Sequence, residues 1–140
     1  MTENVNVADR HGHTPLIDAA KTGKLELVTD LIHRGADLDA RSNKGKTALH
    51  YAAANGYAEV IKTLLENGCT VDARDRDGHT PLMFASNYGC NECITCLVEY
   101  GADPNAKTLC GNTALTYAET NDHPETLALL VKLQRAKQAV

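Results

Sequence analysis

Gly45-Lys46-Thr47-Ala48-Leu49-His50-Tyr51-Ala52 has four versions along this chain. It stands 33 residues earlier as Gly12-His13-Thr14-Pro15-Leu16-Ile17-Asp18-Ala19, 33 later as Gly78-His79-Thr80-Pro81-Leu82-Met83-Phe84-Ala85, and 66 later as Gly111-Asn112-Thr113-Ala114-Leu115-Thr116-Tyr117-Ala118. The same step joins Leu31, Leu64, Leu97 and Leu130, and also Gly35, Gly68 and Gly101. No insertion breaks the register. A fixed period of this length marks an array of stacked units, each of which buries its apolar face against its neighbours.

Each unit can be read physically. Thr followed by Pro or Ala (Thr14-Pro15, Thr47-Ala48) offers a hydroxyl cap and a first helical residue suited to the missing N–H partner. The helix that starts there runs through Ala19-Ala20 or Ala52-Ala53 and stops at Gly23, Gly56 or Gly89, where a positive φ is cheap. Val60, Ile61, Leu64 and Leu65 have the spacing of a second helix. Asp37-Leu38-Asp39-Ala40 and Thr70-Val71-Asp72-Ala73 then alternate polar with apolar, and Lys44-Gly45 or Asp77-Gly78 supplies a tight turn, which predicts a projecting β-hairpin finger.

With Thr47-Ala48-Leu49-His50 and Thr80-Pro81-Leu82-Met83 opening the units, a Gly between the helices, and Gly35-Ala36-Asp37 and Gly101-Ala102-Asp103 closing them, the whole chain resembles the ankyrin repeat family. That resemblance implies an all-α solenoid of helix-turn-helix units with projecting fingers. It forms a single domain, 1–140, of four units at about 3–35, 36–68, 69–101 and 102–140. It also implies that His50 makes a structural hydrogen bond to a neighbouring finger. The terminal units depart from the pattern in the polar direction, as a solenoid's uncovered ends require. Asp18 stands in the column of Tyr51, Phe84 and Tyr117, Asp30 in that of Thr63, Glu119 in that of Ala20 and Ala53, and Asp122 in that of the interhelix glycine.

Composition narrows the function. Lys+Arg 14 against Asp+Glu 18 gives 14 − 18 = −4, the wrong sign for a general nucleic-acid binder that neutralises phosphates. No apolar run approaches the roughly 18 residues of a membrane span, and Met1-Thr2-Glu3-Asn4 lacks the form of a secretory signal, so a cytoplasmic monomer is expected, with a nuclear location also open. The five cysteines are an odd count, which fits reduced thiols.

Little of the sequence points to chemistry. Cys90, Cys93 and Cys96 have a spacing that invites zinc, but Cys93 falls in the core column of Leu27 and Val60 and no fourth ligand can be placed, so no metal and no cofactor is expected. Cys90 and Cys110 are the candidates for an exposed redox thiol. Asp75 and Asp77 are close carboxylates in a turn read as open to water, with no apolar wall to separate their pKa values for acid and base work. Ser42 and Ser86 sit on columns that are not pockets, and no glycine loop has phosphate-cradling spacing. Enzymatic activity is not expected.

Binding is the expectation that remains. In the family that this chain resembles, residues around the finger turn and on the exposed side of the first helix contact partners. The matching positions are Arg41, Asn43, Lys44, Lys46 and Asn55, then Arg74, Arg76, Asp77, His79, Asn87 and Tyr88, then Lys107, Leu109, Cys110 and Asn112. Arg41, Arg74 and Lys107 share a column, which stacking turns into a ladder of positive charge. Either an acidic peptide lies along it or Asp39 and Asp72 neutralise it. As exposed charges, the three are expected to be replaceable for less than about half a kcal/mol. Leu109 is either an apolar anchor at a finger tip or folded against the finger base. Tyr88 is either a hot-spot ring or a cover over the helix pair.

The leading reading is a non-enzymatic protein-protein interaction module, a scaffold, adaptor or inhibitor with an unidentified protein partner. Two alternatives stand beside it. Leu97 through Asp103-Pro104-Asn105 resembles the asparagine-hydroxylation motif found in ankyrin repeats, which implies Asn105 as the modified residue although Pro104 departs from the motif. The other is thiol or metal sensing through Cys90, Cys93 and Cys96.

Overall fold

The computed structural model describes residues 4–138, and within them the chain forms helices and no strand. Each repeat supplies a helix pair: α1 (Pro15–Lys21) with α2 (Leu25–His33), α3 (Ala48–Asn55) with α4 (Ala58–Glu66), α5 (Pro81–Asn87) with α6 (Asn91–Glu99), and α7 (Ala114–Thr120) with α8 (Pro124–Gln138). The first helices stack on one another as an inner row, α1 on α3 on α5 on α7, and the second helices form an outer row in the same order. Leu16, Leu49 and Leu82 of the inner row and Val28, Ile61, Leu64, Ile94, Leu97 and Leu130 of the outer row are buried in one continuous core.

The threonine at each inner helix start has extended φ and ψ, as a cap requires, but only Thr14 caps in the simple way, its hydroxyl accepting from the Ile17 N–H at 3.3 Å. In the other three the third helical side chain reaches back. The Thr47 N–H donates to His50 Nδ1 at 3.0 Å, that of Thr113 to Thr116 Oγ1 at 3.1 Å and that of Thr80 to Met83 Sδ at 3.4 Å. The Thr80 hydroxyl is buried with no hydrogen-bond partner among the described residues. His50 Nδ1 therefore accepts, which leaves Nε2–H to donate to the His79 carbonyl of the next finger at 2.9 Å, the structural bond expected of it. Burial holds His50 down to a pKa of about 4.

The fingers differ from the expected β-hairpins. Where alternation predicts extended chain, the Ala40 N–H donates to the Asp37 carbonyl at 3.4 Å across a turn at residues 38–39. The finger beyond is a tight turn closed by Ser42 N–H to Lys46 O at 2.9 Å, or by Asp75 N–H to His79 O at 3.0 Å. These segments are too short to build a ladder, so backbone groups bond to side chains and to the next finger instead. The Asn43 N–H donates to His11 O, Arg76 to Lys44 O and Leu109 to Asp77 O, one bond per junction. Such close approach needs glycine at the tip: Gly12 has φ +77, and a Cβ there would stand 2.7 Å from the Asn43 nitrogen.

The ends are polar where expected, with Asp18, Asp30, Glu119 and Asp122 exposed. Among the described residues Asp122 alone holds a left-handed backbone, φ 55, without being glycine. The N-terminal face nevertheless keeps Val7 and Leu27 at 61% and 40% exposure, so its polar covering is incomplete.

Candidate functional site

A groove runs between the row of fingers and the inner helices, and its two sides use their cations differently. At the finger bases, Arg41 Nη1 donates to Gly45 O at 3.1 Å and to the Arg74 carbonyl of the next finger, and Arg74 Nη1 donates to Lys107 O at 2.5 Å. The expected ladder exists as a column, but its guanidinium groups tie one finger to the next. Asp72 feels the charge of Arg74, but the hydrogen bonds of Asp39 and Asp72 run to the next repeat. Asp39 accepts from Thr70 N–H and its hydroxyl, at 2.8 and 3.0 Å, and Asp72 accepts from Asp103 N–H at 3.1 Å. Burial, together with the Asp103 carboxylate, raises the Asp72 pKa.

Several other site candidates are drawn into the same seam. Asn43 Nδ2 donates to Arg10 O at 2.9 Å and Asn55 Nδ2 to Lys21 O at 3.1 Å, while Asn87 accepts from Asn121 and His123. By contrast the side chains of Lys44, Arg76 and Lys107 make no hydrogen bond or ion pair among the described residues. Tyr88 is 61% exposed and Leu109 80%, so neither the ring nor the leucine folds away against the helix pair or the finger base. Cys110 is exposed beside Leu109.

On the floor, finger side chains alternate with inner-helix rings. The His13 ring lies 5.3 Å from Tyr51, Lys46 Nζ lies 5.9 Å from Tyr51 and 4.8 Å from Phe84, and the His79 ring lies 5.3 Å from Phe84 and 5.8 Å from Tyr117. Hydrogen bonds reinforce both ends, His13 Nε2 to Tyr51 Oη at 3.2 Å and His79 Nε2 to Tyr117 Oη at 2.9 Å. Lys21 Nζ adds a second ammonium over Tyr51, at 5.6 Å. Sequence reading took Lys46 and His79 as candidates but missed Tyr51, Phe84, Tyr117 and Lys21. The signal was present, because the ring column follows the His13, Lys46 and His79 column by five residues in every unit where a ring occurs.

The chemical constellations resolve into local structure. Asp75 is buried rather than open to water, because its Oδ1 accepts from the Asp77 and His79 N–H groups at 3.0 and 2.8 Å and its Oδ2 faces His79 Nδ1 at 3.3 Å. Ligand atoms of Asp75, Asp77 and His79 converge within 4.8 Å, as do those of Asp9, His13 and Asp18, and that convergence is the geometry of the capped turn. Asn105 is exposed, and its Oδ1 accepts from Gln134 of α8.

The cysteines depart from the expectation of uniformly reduced thiols. Cys90 and Cys93 are joined by a disulfide across the first turn of α6, with Cα atoms 5.4 Å apart, and Cys90 is half-buried rather than exposed. The reason is positional: the cap and third helical residues of one turn bring their side chains together. Cys96, one turn further on, is left a free thiol in a cleft with Glu59, Glu92 and Glu99, where burial and then Glu99 raise its pKa. Burial also pushes Cys69 up to about 12, aided by Asp39, so neither is a ready thiolate.

Comparison with known proteins agrees with this geometry. A family model described as ankyrin repeats (3 copies) matches residues 1–75, and one described as ankyrin repeats (many copies) matches residues 64–118. No curated protein matches the chain. No helix among the described residues is long and apolar enough to cross a membrane.

Proposed function

The chain belongs to the ankyrin repeat family, and from that premise we propose that it is a non-enzymatic protein-binding module, a scaffold, adaptor or inhibitor that works as a cytoplasmic monomer. Its partner lies in the groove and touches the finger tips. The observation that carries this reading is the exposure of Tyr88 and Leu109, large side chains at groove positions that contribute nothing to the core. Exposed rings and apolar anchors are what interface hot spots are made of. Arg41, Arg74, Asn43, Asn55 and Asn87 hold the array, while Lys44, Lys46, Arg76, Asp77, His79, Lys107, Leu109, Cys110, Asn112 and Tyr88 make the contact. Capture from lysate with the wild type beside a Tyr88→Ser, Leu109→Ser variant tests it, both baits being checked for matching circular dichroism. A protein retained only by the wild type is the expected result, and identical capture by the two baits removes the reading.

The Cys90–Cys93 bond favours a second reading, a thiol-responsive array. Dithiothreitol, itself oxidised to its cyclic disulfide, would reduce the bond to two thiols. Intact mass with and without this treatment should differ by two hydrogens, and a denaturation midpoint that does not move on reduction would leave the bond without regulatory effect.

A further inference from the structure

The inner row and the first two fingers enclose a cleft of about 300 Å³ whose walls carry His11, His13, Lys21, Lys44 and Lys46 around the Tyr51 ring. No carboxylate lines it among the described residues; Asp18 stands against His13 Nδ1 at 3.2 Å, and Asp9 Oδ1 accepts from the His11 and His13 N–H groups at 2.8 and 3.0 Å. We propose that this cleft is the seat of an acidic side chain, Asp or Glu, presented by an extended segment of a protein partner. The inference rests on the reading of the groove as a protein-binding face and names the chemistry that its first half takes.

Charge placement carries it. Lys21 and Lys46 both lie over Tyr51, at 5.6 and 5.9 Å, so two like charges converge on one ring in a protein whose net charge is −4. The ring face attracts each ammonium but neutralises neither. A carboxylate seated in the cleft can accept from the ammonium groups that line it and offsets their mutual repulsion. Lys46 is also half-buried against Phe84 at 4.8 Å, which fixes its position before a partner arrives. In the adjoining cleft Lys44, Lys46 and Arg76 stand beside Asp75 and Asp77, so the unbalanced positive charge is confined to the first cleft. Beyond it the groove candidates are amides and hydroxyls, Asn87, Asn112 and Thr120, with Lys107 the one cation among them. A nucleic acid, whose phosphates continue without a break, would meet Asp75 and Asp77 in the next cleft and gains nothing from a site one side chain wide. A peptide with one acidic position followed by apolar or amide-bonding residues matches the whole length.

The test uses a capped hexaglutamate peptide, a capped hexaglutamine peptide and inorganic phosphate, titrated into the full chain at low salt and followed by amide NMR shifts. Hexaglutamate is expected to move the amides of Lys21, Lys46 and Tyr51 and to bind at least tenfold more weakly to a Lys21→Gln, Lys46→Gln variant. Retention by the Lys21→Arg, Lys46→Arg variant, and an unchanged affinity in Lys62→Gln on the outer row, would complete the support. Binding that is absent, equal for hexaglutamine, or undiminished in the double glutamine variant overturns the proposal. So does a response to phosphate without one to hexaglutamate, since the cleft would then be a small-anion site. The two readings fail separately: a lysate partner held equally by wild type and the glutamine variant, but lost with Tyr88→Ser, Leu109→Ser, removes the acid seat and leaves the groove intact.

Discussion

Arg41 and Arg74 at the finger bases, one period apart, and Lys21 and Lys46 on the groove floor, which share no column, end in opposite states. Arg41 and Arg74 reach across a repeat junction to backbone carbonyls, while Lys21 and Lys46 stop over aromatic rings and pair with no carboxylate among the described residues. The difference follows from the side chains and from what the next unit offers. A guanidinium is a planar fork with several donors and can satisfy carbonyls on two fingers at once, whereas an ammonium on a flexible stem is a point charge that a ring face holds without consuming. Period therefore locates a side chain, and the neighbouring repeat decides whether that side chain is available.

The largest effects belong to the seam between repeats. Leu64 is wholly buried in the middle of the outer row, and Leu64→Ala should lower stability by about 2–5 kcal/mol in urea unfolding, enough to melt a short array. A loss below about 1 kcal/mol would mean that the central junction does not carry the stability. His50 joins the same seam through its bond to the next finger, and its titration has a definite sign. The folded state holds it at about 4, against 6.5 when free, so as pH falls from about 6.5 to about 4 the unfolded chain takes up a proton that the folded one refuses. Its contribution to stability is complete above pH 6.5 and declines by about 3 kcal/mol on the way to pH 4. Urea midpoints measured across that window should fall more steeply for wild type than for His50→Gln, and parallel slopes would place the titration elsewhere.

Next in size is the finger-base column. Arg41→Gln with Arg74→Gln removes the bonds that tie fingers two, three and four together and should lower stability by about 1–2 kcal/mol, more than a pair of ordinary surface charges. A combined change within about half a kcal/mol would restore the sequence expectation that these are solvated cations.

The array itself was legible in the sequence because periodicity needs no knowledge of contacts: threonine and glycine at fixed steps mark seven of the eight helix starts. Asp122 was legible too, as a residue in a glycine column, and it does hold the left-handed backbone that the column demands. The fingers were not, since polar-apolar alternation over four residues describes a turn pinned by Asp39 or Asp72 as well as it describes a strand. The site was half legible. Tyr88 and Leu109 stand where column breaks put them, but the availability of Arg41 depends on a carbonyl 33 residues away, and pairing of Cys90 with Cys93 depends on where α6 begins.

The smallest expected effect is the sharpest probe of the contrast. Lys21→Gln with Lys46→Gln removes as many charges as the arginine pair does, and each change forfeits a ring contact of about 0.5–1 kcal/mol. Removing both also relieves the repulsion between two ammonium groups over Tyr51, which offsets part of that loss at low salt and less of it as salt screens the pair. The net change in the urea midpoint should correspond to about 0.5–1 kcal/mol, below that of the arginine pair. If the lysine pair proves as costly as the arginines, the floor is part of the scaffold, and its cations are no more available to a partner than those at the finger bases.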